Sequence, residues 1–175
     1  VKVGLLRHAK SDWSDEGLRD FDRGLNERGR RGAALMGRHV MTHGVRFARV
    51  IASPAERVRQ TLAAALPDDE PTFDRRLYLA PAETIIEVLR EGSSEDEAVL
   101  IVGHNPGLQD TILRLVAPDR EGALFQAAKV KFPTASFAVL DLPAARWGDI
   151  AEESGELVHF TRPRDLDAEL GPEHP

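Results

Sequence analysis

Residues 1–12 read VKVGLLRHAKSD, and the abrupt passage from an apolar run to Arg7 and His8 decides how the rest of the chain is read. Val1, Val3, Leu5 and Leu6 have the branched and aliphatic character of a short buried strand. Arg7 and His8 then fall where that strand leaves its sheet. In open α/β sheets, ligands bind outside the carboxyl ends of the strands. Taken alone, the pair is also consistent with a polar strand terminus that meets water.

Working outward, two more segments repeat the arrangement. FARVIASP, residues 47–54, is a strand that ends at Ser53 and Pro54. Ser as N-cap with Pro at the first helical position predicts a helix start there, and Val58, Thr61, Leu62, Ala65 and Leu66 mark its buried stripe. That helix carries Arg57 near its start. AVLIVGH, residues 98–104, is the least ambiguous strand and delivers His104 directly. NPG turns the chain, and Leu108, Ile112, Leu115 and Val116 predict a helix that Pro118 closes.

The remaining elements fill the intervals. The polar stretch AKSDWSDEGLRDFDRG, residues 9–24, is too long for an ordinary connection, and loops of that length are often functional or mobile. Asn26 is placed to cap a helix carrying Ala33, Met36, Gly37, Val40 and Met41, with Gly44 as its stop. A further helix is predicted over about Ala82 to Glu91, with Ile85, Ile86 and Leu89 inward. SFAVLDL and GELVHFT read as two closing strands, a hairpin joined across residues 143–154. Strands alternating with helices imply an α/β sandwich with a largely parallel sheet and an antiparallel element at one side. The expected organisation is one domain over residues 1–162 and a loosely held tail over 163–175.

Composition narrows the function. A chain of 175 residues, 42% hydrophobic and 30% charged, suits one ordinary globular domain with a sizeable core. No apolar run is long enough for a membrane helix. Arg7, His8 and Lys10 interrupt the first apolar run too early for a secretory signal. With no cysteine, disulfides, thiolate metal sites and cysteine nucleophiles are excluded; the expected location is cytoplasmic. A net charge of −6 argues against a general nucleic-acid binder. No His, Asp or Glu spacing fits a zinc helix or a calcium loop, and the GRRG glycines form neither a Walker nor a dinucleotide pattern. No metal and no cofactor are expected.

If the three strands run parallel, Arg7, His8, Ser53, Arg57 and His104 share one sheet edge with helix N-termini that favour anions. Arginine forks match phosphate oxygens, and an imidazole can attack phosphorus to form a covalent intermediate. The constellation suits phosphoryl transfer, with Arg7 clamping and His8 attacking. Gln60 and Thr61 read as packing and hydrogen-bonding residues. Lys10, Arg19 and Arg23 either line the pocket mouth or form ordinary charged surface, and His39, His43, His159 and His174 read as surface or structural.

On these residues the sequence resembles a known family. LLRHAKS, SPAERVRQT and VGHNPG are similar, in order, to the three signature segments of the histidine phosphatase superfamily. Ala9 after His8, the short chain and KFPTAS at 131–136 resemble its phosphohistidine phosphatase (SixA-like) branch; the commonest first segment of the superfamily has Gly where Ala9 stands. The resemblance spans residues 1–140. It implies a three-layer α/β/α fold of the phosphoglycerate mutase type and a phosphohistidine intermediate formed without metal. It makes His8 the nucleophile and Arg7, Arg57 and His104 the phosphate pocket, with His104 adding charge when protonated. Glu83, in LAPAETIIEVL, is the nearest match to the family's acid. The implied substrate is phosphohistidine on a partner protein. The alternatives are small phosphomonoesters, such as sugar or nucleotide phosphates, and a non-catalytic phosphate-binding module. Oligomeric state is not legible.

Overall fold

The computed structural model describes residues 1–171. One six-stranded sheet organises them: β1 (Lys2–Arg7), β2 (Arg49–Ala52), β3 (Thr72–Phe73), β4 (Ala98–Gly103), β5 (Phe137–Asp141) and β6 (Glu156–Thr161). Their spatial order is β3-β2-β4-β1-β5-β6. The pairs β3–β2, β2–β4 and β4–β1 are parallel, while β5 runs antiparallel to both β1 and β6. The sheet is therefore mostly parallel, with the antiparallel element at the predicted side.

Period-two alternation sends each central strand into two cores. Val3 and Leu5 of β1, with Val99 and Ile101 of β4, pack under α3 (Ala82–Arg90), α4 (Gly107–Leu115) and α5 (Ala123–Val130). Leu6, Leu100 and Val102 face the opposite core, under α1 (Glu27–Thr42) and α2 (Glu56–Ala65). All six β4 residues are buried. Helices on both faces make the predicted three layers. Burying a Leu or Ile side chain is worth roughly 1.5–3 kcal/mol, so the doubly covered central strands are the firmest platform for the residues at their ends.

Local chemistry explains the helix limits. Asn26 Oδ1 accepts from the Gly29 amide at 2.7 Å, capping α1 as its sequence predicts. Gly44, at φ +107°, takes the chain out of the helix just past its end. Gly37 lets α1 meet α2 closely, because a Cβ there would lie 2.0 Å from the Ala65 carbonyl oxygen.

Four expectations change. The second helix begins at Glu56, with Ala55 rather than Ser53 at its N-cap; Ser53 is committed elsewhere. The short β3 and the helix α5 had not been read from the sequence. A two-residue exposed strand and a helix with few buried residues carry little apolar periodicity. Nor are residues 163–171 loose. Pro163–Leu166 form α6 and Ala168–Leu170 a 3₁₀ turn. Arg31 of α1 holds both Asp167 and Glu169 at 2.7 Å. A proline, a capping aspartate and acidic residues facing Arg31 dock this segment without a hydrophobic stripe. The last four tail residues, His174 among them, lie outside the described residues.

Candidate active site

The parallel strands β1, β2 and β4 end together and deliver their next residues to one place. The His8 amide donates to the Gly103 carbonyl at 3.0 Å, and the Ser53 amide donates to Val102 at 3.0 Å. The His8 and His104 rings lie 5.4 Å apart, centroid to centroid. Arg57, from the first turn of α2, lies within 3.3 Å of His104. Arg7, His8, Arg57 and His104 are thus brought together from positions as far apart as 7 and 104.

Hydrogen bonding sets the state of each imidazole. His8 Nδ1 lies 2.7 Å from the Ala9 carbonyl oxygen. A carbonyl can only accept, so Nδ1 carries the proton and Nε2 keeps its lone pair. Burial pushes the His8 pKa down to about 4; the Ala9 hydrogen bond opposes this, and the charges of Arg7 and Arg57 add to it. Near neutral pH the ring is an uncharged base with Nε2 as its lone-pair atom.

The backbone after His8 is held from two sides. The Ala9 amide donates to Thr61 Oγ1 at 2.9 Å, and that hydroxyl donates to the Arg57 carbonyl at 2.7 Å. The Ala135 amide donates to the His8 carbonyl at 3.0 Å. Thr61 therefore ties the backbone after His8 to the helix that carries Arg57. Gln60 accepts from the Leu25 amide at 2.7 Å and so anchors the long first loop.

His104 takes the opposite tautomer. Arg57 Nη2 donates to its Nδ1 at 3.3 Å, leaving the proton on Nε2 to be donated to Ser53 Oγ at 2.7 Å. Here lies the role of Ser53 in place of helix capping. Burial, then the neighbouring His8 and Arg57, lower the His104 pKa to about 3. The ring is neutral in the free protein, so the clamp charge expected from a protonated His104 is not there before an anion arrives.

Two guanidinium groups supply the positive charge. Arg7 Nη1 donates to the Phe132 carbonyl at 2.9 Å, while its Nε is buried without a partner. Burial and the Arg57 charge depress its pKa. Arg57 is only 5% exposed and donates to Asp20 twice, to the carbonyl at 2.8 Å and to Oδ2 at 3.0 Å. The two cations repel one another across a buried space, which an anion with several oxygens would relieve.

The carboxylate that lies against Arg57 is Asp20, while Glu83 is placed elsewhere. Glu83 sits on the exposed start of α3, and its Oε1 accepts from Arg114 Nη2 at 2.6 Å. An ion pair with a helix α4 side chain on the outer surface keeps it out of the pocket. Asp20 instead lies in a 3₁₀ turn of the long first loop and accepts from Tyr78 at 2.6 Å as well as from Arg57. Burial acts to raise its pKa, but the Tyr78 and Arg57 hydrogen bonds and the charges of Arg57 and Arg23 outweigh this and hold it below the usual range. Arg23 joins the cluster, buried and 3.7 Å from Asp20. Arg19 stays on the surface with Asp22. Only the unusual length of this loop, and its density of charge, pointed to it in the sequence.

A cluster of two arginines, a neutral imidazole that keeps its Nε2 lone pair and a carboxylate bound to one of the arginines suits an anionic group open to nucleophilic attack. The match to known proteins agrees. Residues 3–78 match the model of the histidine phosphatase superfamily, branch 1. An uncharacterised protein of Mycobacterium leprae is 35% identical over 162 residues, which cover 91% of this chain and 100% of that protein. The chain belongs to the histidine phosphatase superfamily. Its structural neighbours place it in the SixA-like branch. A protein of Agrobacterium tumefaciens provisionally designated phosphohistidine phosphatase SixA is 33% identical, with a TM-score of 0.73 over 93% of this chain and 97% of that one. A provisionally designated SixA from Nakamurella multipartitia is 28% identical, with a TM-score of 0.80 over 93% and 95%. The chain is a phosphatase of the histidine phosphatase type.

Proposed function

We propose that the protein removes phosphoryl groups from phosphohistidine on a partner protein, through a covalent phospho-His8 intermediate and without a metal ion. The observation that carries this reading is the Nε2 lone pair of His8, fixed by the Ala9 carbonyl and flanked by Arg7 and Arg57. In the first step His8 Nε2 forms a bond to phosphorus, and the bond from phosphorus to the substrate imidazole breaks. The departing imidazole keeps the proton already on its other nitrogen and leaves neutral. In the second step water attacks phosphorus, the bond to Nε2 breaks, and inorganic phosphate leaves with the proton that the water gives up. Arg7 and Arg57 hold the phosphoryl oxygens in both steps. His104 stands beside them against Arg57, where an incoming negative charge raises its affinity for a proton.

The choice of phosphohistidine over an alkyl phosphate rests on Asp20. An alkoxide is a poor leaving group and needs a proton donor, a contribution worth roughly 10²–10⁴-fold. Asp20 is the carboxyl group of the pocket, and it is held ionised by Tyr78 and Arg57. Imidazole needs no such donor. The test is to incubate the protein briefly with a labelled phosphohistidine peptide and quench. Acid-labile, base-stable phosphate on the wild type and none on His8→Ala is the expected result. Turnover by His8→Ala, or faster hydrolysis of sugar phosphates than of the peptide, overturns the reading, as does loss of activity in EDTA that magnesium restores.

A further inference from the structure

Beside the catalytic trench lies a cavity of about 290 Å³ whose lining includes Arg7 and Ala9, the two neighbours of His8, but not His8 itself. Arg7 is therefore a shared wall. The other charged side chains that line the cavity are Lys10, Arg28, Lys131, Arg162 and Arg164, and among the described residues no Asp or Glu lines it. In a chain with a net charge of −6 this is a local inversion of sign. Of the acidic residues nearby, Asp165 pairs with Arg162 of the lining at 2.9 Å and so offsets that charge, while Asp167 and Glu169 are turned to Arg31. Lys131 and Arg164 make no ion pair among the described residues. Gly32 of α1 also lines the cavity. It is buried, yet a Cβ placed on it would meet no atom within 4 Å, so its lack of a side chain leaves space on the cavity floor. The first turn of α1, with its amide dipoles favouring negative charge, faces the same space through Arg28 and Gly29.

We infer that this cavity is a second anion subsite, which selects substrates carrying another phosphate or carboxylate a short distance from the scissile phosphoryl group. The inference rests on the reading of the Arg7–His8 trench as the phosphoryl site. Arg7, Lys131 and Arg164, which form no ion pair among the described residues, bring local positive charge to this space, and a second anion tethered to the first binds with the advantage of an intramolecular contact. The same chemistry is met by an Asp or Glu beside phosphohistidine in a peptide and by the second phosphate of a small bisphosphate.

The experiment measures binding by calorimetry to the His8→Ala protein, so that it does not depend on turnover. Two ligand pairs are compared: a non-hydrolysable phosphohistidine-analogue peptide flanked by Glu or by Gln, and an alkyl bisphosphate or the matching monophosphate. The expected result is a preference of about tenfold for the second anion in at least one pair, and the pair that shows it names the source. Lys131→Gln with Arg164→Gln reduces that preference to about twofold or less by removing two charges. Gly32→Asp, which adds a carboxylate where there is space for it, does the same, and its thermal unfolding reports whether the fold is kept. No preference in either pair, or a preference that survives both changes, overturns the subsite. Phosphoryl trapping on wild-type His8 is read separately: its failure removes the trench mechanism, whereas normal trapping with unmoved binding ratios removes the subsite alone.

Discussion

Two groups of histidines in this molecule look alike on paper and differ in what surrounds them. His8 and His104 lie at the strand ends. His39 and His43, one turn apart on α1, meet His159 of β6 on the face of the sheet, against Phe137. His39 Nε2 and His159 Nε2 approach to 2.8 Å, and Thr161 Oγ1 lies 2.7 Å from the same His159 nitrogen. Burial comes first in lowering the pKa of His8 and His104 and, in the second group, of His39 and His159, with His159, like His8, reaching about 4. Neutral, crowded imidazoles therefore do not mark the reactive site. What marks it is the pair of guanidinium groups and a backbone carbonyl that leaves one ring nitrogen of His8 unprotonated. In the second group His39 and His159 bond one another and His159 also meets Thr161, while His43 Nδ1 is buried without a partner. Its imidazoles serve packing, as their lack of surrounding sequence signals suggests, although they form one cluster rather than separate surface residues.

The sharpest break in this comparison is a matched pair of variants. His8→Ala removes the nucleophile, and kcat is expected to fall by roughly 10⁴-fold or more on phosphohistidine peptide. His159→Gln should leave kcat/KM within about twofold while lowering Tm by roughly 2–4 °C for each kcal/mol of packing lost. Steady-state kinetics and calorimetry on the two proteins decide the matter. A large activity loss in His159→Gln would erase the distinction between the groups.

A smaller effect is expected at the mouth of the trench. Asp20 holds Arg57 but also opposes an incoming anion. Asp20→Asn should bind vanadate more tightly, by about threefold to tenfold, because a negative charge leaves the site, while kcat falls as Arg57 loses a positioning contact. Weaker vanadate binding would mean that alignment of Arg57 outweighs the charge.

The pH dependence separates the groups again. A histidine with a lowered pKa contributes stability that is complete above its unfolded value near 6.5 and is lost as pH falls towards its folded value. With His8 and His159 at about 4 and His104 at about 3, the protein should lose stability steadily between pH 6.5 and 4. His159→Gln should flatten that loss without moving the acid limb of kcat/KM, which His8 places near 4 rather than 6.5. Urea titrations across this range, beside the activity profile, test both halves.

The smallest expected effect belongs to Glu83. Glu83→Gln breaks an exposed ion pair with Arg114, an interaction worth about 1 kcal/mol at most, and should leave hydrolysis of both alkyl phosphates and phosphohistidine unchanged. A selective loss on alkyl phosphates would return Glu83 to the site.

How much of this could be read without coordinates depends on how local each signal is. The strands around Val3–Leu6, Val50–Ala52 and Ala98–Gly103 were legible because burial on both sheet faces demands unbroken apolar runs. The positions of His8, Arg57 and His104 followed from them, since parallel strands must end at the same edge. The Asn26 cap and the Gly44 stop were legible for the same reason: each acts within one helical turn. Ser53 was misread because a serine before proline has a local use as a cap, and its bond to His104 crosses 51 positions of sequence.

The sequence by itself therefore determined the class of fold, the strand ends and the placing of His8 beside Arg7 and Arg57. These depend on apolar periodicity and on residues adjacent to it. Only the tertiary structure decided which carboxylate lies against Arg57, which tautomers His8 and His104 hold, that residues 163–171 pack onto α1, and that six basic side chains line one cavity. The reason is physical. A charge or a ring nitrogen takes its state from whatever lies within a few ångströms, and at Asp20, His104 and Arg7 those neighbours come from distant parts of the chain.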